Sequence, residues 1–434
     1  MRMMKFFVIL LALACVPLLS HAAEVKLTSS TQYLWYQDLL AVDPNKGIEE
    51  AAQYLRVNVT KLDKEGKLNI YSYGRATQQV WASEDQRTRQ DQDLQGRLYY
   101  FYVDYRDAFQ EHLDLRAGRT YVNAAAVSGT IDGLYVNLKN LGPVGITVFG
   151  GRNVIFQDTT ETNTQTDTST QGNNLMGMSV YLDTIKNTHV EVSYGRKYDA
   201  TGVERETVGL DFSTTPIGSM ANFYGRLKYD TISESYNEML LGAKVTPLKD
   251  LTLRGEYYES YPTFDTNSIY SVFAVSQYKE KSISAEYQLT NNYRVSVKYA
   301  KEDFSGDATA DLYGVGFLAK PIKDLTINAS YERRYGYAGD LGGIRLSAEY
   351  RISKAAIMAG IDYDDFRREA YSGEDNRTGI AKKYWAGVNY EFTKIISAVV
   401  RVENDVNFNY DSSYQGFVAI NINYSLSTAS TAKK

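Results

Sequence analysis

The sequence predicts an all-β fold: a transmembrane antiparallel up-and-down β-barrel of about 22 strands, with short periplasmic turns and longer extracellular loops. Three observations predict it. The chain opens with an export signal, apolar and polar residues alternate with period two from end to end, and the connections sort by length into two alternating sets.

The export signal comes first. Arg2 and Lys5 give a basic start, Phe6 to Leu19 an apolar run, and Ser20-His21-Ala22 the small residues read by a signal peptidase. Cleavage is expected after Ala22 or Ala23. The run is too short, and Pro17 interrupts it too soon, for a membrane helix. A lipoprotein signal using Cys15 is the weaker alternative, because Ala12 stands three residues before it. Residues 1–22 are therefore read as signal peptide, 23–426 as barrel and 427–434 as a polar tail. Removing Cys15 leaves a mature chain without cysteine, which excludes disulfides, thiolate metal sites and cysteine nucleophiles.

Composition narrows the class. No mature stretch reaches the ~18 apolar residues of a spanning helix. The chain carries 37 Tyr but only 7 Pro in 434 residues, a balance suited to strands that are wet on one face and apolar on the other. Subtracting the two basic signal residues from the formal −5 leaves about −7, which argues against a general nucleic-acid binder.

The strands follow from period-two alternation, clear in Leu325 to Tyr331, Ile344 to Ile352 and Val418 to Tyr424. They are expected near 25–40, 53–62, 67–80, 95–107, 112–122, 131–140, 144–155, 175–186, 188–199, 204–215, 220–230, 237–246, 251–261, 277–289, 293–303, 311–320, 325–336, 343–353, 355–367, 383–393, 395–407 and 414–426. The expected short connections include Asp63 to Gly66, Leu141 to Pro143, Lys186-Asn187, Pro247 to Asp250, Asn291-Asn292, Pro321 to Asp324, Ser353-Lys354 and Thr393-Lys394. The expected long ones are 42–52, 82–94, 156–174, 262–276 and 368–382. Four mature prolines fall in short turns, Pro44 and Pro262 fall in long loops, and none interrupts a proposed strand. A soluble sandwich, such as a β-rich periplasmic binding protein, has no reason to sort loop lengths by parity. Thr246 to Leu253 echoes Lys320 to Ile327, read as two turns using the same chemistry rather than a duplication.

Trp35, Trp81 and Trp385 are expected near outer strand ends, and Tyr287, Tyr350, Phe392 and Tyr424 near inner ends, as interfacial girdles. With apolar side chains facing lipid, their neighbours face the lumen. The pore-lining candidates are Arg56, Arg116, Lys244, Arg254, Glu256, Arg294, Lys298, Arg345, Glu349, Arg351, Arg401 and Glu403, with Asp114, Glu191, Glu332 and Asp405 on the same face. The set is nearly balanced in sign. Two readings stay open: a filter for solute charge, or a cross-strand network that stiffens the wall.

Acidic residues are expected in loops: Asp158, Glu161 and Asp167 in one, Asp303, Asp307 and Asp311 in another, Asp230, Glu234 and Glu238 in a third. Solvated loop charge explains them better than a calcium site, which needs a defined ligand loop. Residues 157–174 lack the apolar side chains to order themselves, so an inward constriction and an external loop both stay open. Segment 368–382 poses the same choice. His112 and His189 lie beside periplasmic turns, far apart in sequence. No nucleophile–base pair, phosphate loop or haem-attachment motif appears, so no catalytic residue, metal or cofactor is assigned.

The signal peptide, the alternating strands and the closing strand from Tyr414 to Leu426 together resemble the general porin class. Leu115-Arg116-Ala117-Gly118-Arg119-Thr120-Tyr121-Val122 is similar to the Arg-x-Gly-Arg-aromatic strand of many porins. The chain departs from the pattern in lacking a terminal Phe. The resemblance implies an outer-membrane channel for passive diffusion of small hydrophilic solutes or ions, with outer-membrane lipid and lipopolysaccharide as surroundings. A weaker resemblance is to the barrel subunit of porin–cytochrome electron conduits. It implies a structural sleeve that holds a periplasmic partner such as a multihaem cytochrome. About 22 strands enclose a lumen that needs narrowing or filling. No segment is long enough to be a TonB-receptor plug.

Overall fold

The computed structural model describes residues 23–37, 47–82, 94–154, 173–200, 202–261, 277–306, 308–337, 339–368, 377–407 and 410–427. The signal peptide, residues 428–434 of the 427–434 tail and residues 157–172 of the 157–174 segment lie outside them, whereas Ser427 ends β22 and Asn174 starts β8. The strands are β1 Glu24–Gln37, β2 Gly47–Thr60, β3 Leu68–Ala82, β4 Gln95–Asp107, β5 Leu113–Asn123, β6 Ser128–Leu141, β7 Val144–Val154, β8 Asn174–Leu182, β9 Thr188–Tyr198, β10 Val203–Thr214 and β11 Ala221–Asp230. They continue as β12 Ser235–Leu248, β13 Leu251–Ser260, β14 Tyr278–Thr290, β15 Tyr293–Phe304, β16 Ala308–Ile322, β17 Leu325–Gly336, β18 Gly339–Ile352, β19 Ala355–Arg368, β20 Arg377–Glu391, β21 Ile396–Asn407 and β22 Tyr410–Ser427.

All 22 form one antiparallel sheet in which each strand pairs with its sequence neighbours. The sheet closes where Val25 lies opposite Leu426 and Trp35 opposite Gly416. Closure removes the unpaired edge that an open sheet would present, and only such a closed sheet can span lipid with strands.

The widest gaps between strands, 38–46, 83–94, 155–173, 261–277 and 369–376, all fall at one end, here the loop end. Residues 47–52 and 377–382 are strand rather than loop: Glu49 pairs with Trp35, and Lys382 with Tyr363. Their polar side chains hid a ladder made by backbone groups. Asp303 and Asp311 belong to β15 and β16 for the same reason, and Asp230 and Glu238 to β11 and β12.

At the opposite, turn end, β12 and β16 run through Pro247 and Pro321, each inside a register shift next to a two-residue turn. A proline there forfeits no ladder bond. The echoed segments thus build one device twice, with Gln288 N–H donating to Asp250 O and Arg351 N–H to Asp324 O at 2.8 and 2.9 Å. In the turn after β2, Asp63 Oδ1 accepts the N–H groups of Lys67 and Leu68 at 2.6 and 2.9 Å. Burial alone would raise its pKa, but these backbone donors outweigh it and hold the carboxyl below its ordinary value.

Candidate functional site: the lumen wall

Register fixes which side chains share a face. Following the pairs around the barrel from Arg56 through Tyr73, Tyr100, Gly118 and Tyr135, and back through Arg401, Phe417 and Leu34, returns to Arg56 without a change of face. All twelve pore-lining candidates, with Asp114, Glu191, Glu332 and Asp405, lie on it. The opposite face carries Val192, Leu241, Ile283, Val297, Val315, Ile344, Ile361, Val400 and Ile420, all 42–60% exposed. So much large apolar surface, continuous around β9–β22, is not stable in water and needs hydrocarbon against it. Tyr287, Tyr350, Phe392 and Tyr424 border this band at the turn end, and Tyr299, Tyr313 and Tyr335 at the loop end. Apolar residues outside and charge inside define the solvent on each side. The chain is a porin-like transmembrane β-barrel.

Within the porin-like barrel the lumen wall has two different sectors. Around the β5–β6 connection it buries small and apolar residues, while Asp114, Arg116 and Lys139 lie nearer the turn end of the same strands. The four-residue connection Ala124-Ala125-Ala126-Val127 closes with reciprocal backbone bonds between Ala124 and Val127 at 2.9 and 3.1 Å. Ala125 N–H donates to Glu191 Oε1 at 2.9 Å and Ala126 N–H to Ser193 Oγ at 2.8 Å, while Thr207 Oγ1 donates to Ala126 O at 2.8 Å. Glu191, Ser193 and Thr207 belong to the lumen face of β9 and β10. The turn therefore folds inward over β7 and β8 and docks three strands away.

Space for it comes from glycine: a Cβ on Gly209 would stand 2.3 Å from Ala126 N, and one on Gly195 2.3 Å from Val127 Cγ1. Beneath, Val122, Ala124, Val127, Ile131, Phe149 and Leu175 form a buried cluster inside the barrel. Alternation alone puts Val122, Ile131 and Phe149 on the lumen face; what hid the tuck is that the sequence gives no sign of their lid.

Over β11–β22 the wall is charged. Lumen-facing pairs include Arg226 with Asp211 of neighbouring β10 at 3.0 Å, Lys298–Glu280 at 3.7 Å, Arg294–Glu286 at 3.4 Å, Arg334–Glu302 at 2.7 Å and Arg345–Asp364 at 3.7 Å. Lys383 lies 3.3 Å from Glu403 and 3.4 Å from Asp405, and Arg401 3.1 Å from Glu403. Most of this is the stiffening network that the alternating charges allow. Lys244 and Arg254 differ, standing exposed and directly opposite each other as two cations. The candidate set missed Asp211, Arg226, Glu280, Glu302, Arg334, Asp362, Asp364 and Lys383, although their parity within each strand would have found them.

Trp385 is corrected. It shares parity with Lys383, pairs with Gly360 and Glu403, and sits on the lumen face with the Arg401 guanidinium 4.4 Å from its ring. Beside it, a wall recess of about 460 Å³ is lined by Glu286, Arg294, Arg345 and Asp362 among others. Trp35 keeps its place on the outer face, packed near Tyr33; the Trp81 side chain lies outside the described residues. His112 and His189 stay far apart, the latter paired with Asp183 at 2.5 Å.

No protein-family model and no curated protein sequence matches the chain. Among solved structures, it is similar to OccAB2 of Acinetobacter baumannii, with 11% identity, 93% of this chain and 98% of that one covered, and a TM-score of 0.48. The outer membrane protein opdK from Pseudomonas aeruginosa gives 9% identity, 93% and 99% coverage, and 0.48. OccK9 (OpdG) from Pseudomonas aeruginosa gives 13%, 93% and 98%, and 0.47.

Proposed function

We propose that this barrel sits in a bacterial outer membrane and lets small hydrophilic solutes or ions diffuse passively through its lumen. The observation that carries the reading is the single closed sheet with an apolar outer face and a charged, water-accessible inner face. Lipid covers the first, and the second leaves a polar path. The inward turn of residues 124–127 narrows one side of that path, while the paired charges of β11–β22 line the other. Arg56, Arg116, Lys244, Arg254, Glu256, Arg294, Lys298, Arg345, Glu349, Arg351, Arg401 and Glu403 are proposed as pore-lining. Opposed charges cancel much of the local field, so sign preference is weak. Lys244 and Arg254 tilt it toward anions.

Proteoliposome swelling tests the reading. Liposomes carrying the barrel should swell in arabinose and progressively less in larger saccharides. Swelling no faster than empty liposomes would overturn it.

A further inference from the structure

We propose that Lys281 and Lys301 hold the phosphate of an acylated lipid headgroup in the leaflet at the loop end of the barrel. The inference rests on the membrane placement above and adds a specific lipid site to it. The two lysines stand directly opposite each other across β14 and β15. Both are exposed, and both lie on the outer face, in register with Tyr257 on one side and Asp311 on the other. Adjacent antiparallel strands place such residues only about 5 Å apart, and like charges directly opposite oppose strand pairing.

The neighbouring carboxylates are engaged elsewhere. Glu259 accepts the Tyr257 hydroxyl and lies 3.9 Å from Lys279. Asp311 Oδ1 accepts the Tyr299 hydroxyl at 2.7 Å, and Asp303 stands opposite Lys279. Among the described residues, neither Lys281 nor Lys301 has a carboxylate within 4.0 Å.

Depth selects the occupant. One step toward the turn end, the same face shows Ile283, Tyr299 and Tyr313, in register with one another. The next step shows Ala285, Val297 and Val315. Reading from the lysines downward gives cations, then Tyr299 and Tyr313 at interfacial depth beside Ile283 at 60% exposure, then Val297 and Val315 at 48 and 51%. A phosphate that bridges the two ammonium groups would hang its acyl chains along that apolar column. A free anion would use the first layer and gain nothing from the others.

The test uses the full-length barrel in phosphatidylcholine nanodiscs doped with bis-phosphorylated lipid A, with retained lipid counted by native mass spectrometry after re-extraction. The wild type should retain lipid A, and K281Q/K301Q should retain about thirtyfold less, the effect of two lysines at an anionic surface. K249Q/K323Q at the turn end should match the wild type. Equal retention by all three proteins would overturn the site, and so would full displacement of lipid A by inorganic phosphate. K281E keeps the result independent of folding, because it turns the like-charged pair into an opposite one. It should lose lipid retention while its heat-modification temperature in zwitterionic detergent holds or rises. A fall in that temperature would show that the lysines brace the wall instead. A barrel that retains lipid A but passes no solute would sink the channel reading and leave this one standing.

Discussion

Around the turn at 124–127 the lumen wall is built like the core of a soluble protein; between β11 and β22 it is built like a water-facing surface. The first sector buries Ile131 and Phe149 under an inward turn seated on glycines, and the second sets Arg334 against Glu302 and Lys383 against Glu403 and Asp405. Both use the same alternation and the same outer face. The difference teaches that period two decides which side chains face inward, while what meets them there is decided by contacts far away in sequence. The turn at 124–127 reaches Glu191 and Thr207.

The largest effect should come from the face both sectors share. Val400→Arg or Ile420→Arg, placed in the apolar band, should cost roughly 2–4 kcal/mol at mid-membrane depth, and Ser347→Arg on the lumen face far less. Assembly yields in vesicles measure this, and equal yields for all three would contradict the facing.

The contrast between sectors predicts the next effect. Gly209→Ala pushes a methyl into the backbone of Ala126 and should cost about 1–3 kcal/mol while releasing the turn and raising conductance. Gly314→Ala, on the charged sector, meets only Lys298 Cβ at 3.6 Å and should stay within about 0.5 kcal/mol with conductance unchanged. Urea midpoints and single-channel currents together separate the outcomes; the same response at both glycines would erase the distinction between the sectors.

A smaller change should follow from Lys244→Gln with Arg254→Gln. Removing the two facing cations should shift the zero-current potential in a salt gradient toward cation preference, with stability held within about 0.5 kcal/mol. No shift would mean that these cations do not sense the permeating ion.

The smallest lies outside the membrane. Because the Asp63 carboxyl is held below its ordinary pKa, its contribution is fully present above the unfolded value and lost as pH falls through the folded one. Asp63→Asn should therefore lower stability slightly at neutral pH and leave it unchanged at the acid end, which flattens the acid limb of the profile. An unchanged acid limb would remove that role.

The barrel was legible because alternation survives from end to end: expected and observed spans coincide at 95–107 and 325–336, and differ most where polar residues extend β2 and β20. The facing of Arg345, Arg401 and their partners was legible for the same reason. The lid over Phe149 was not, since the expected spans leave 123–130 as a plain connection and nothing local ties Ala124 to Val127 to Glu191 and Ser193. Trp385 shows that position along a strand does not fix a side chain's surroundings without parity, which puts it beside Arg401 in the lumen.

The most direct test of the channel is the current carried by the purified barrel alone in a planar bilayer. A stable, stepwise conductance with weak sign preference, from a preparation free of haem absorbance, is the predicted result. Absence of current, or erratic openings that a co-purified coloured partner silences, would contradict the channel and favour a barrel that exists to hold another protein.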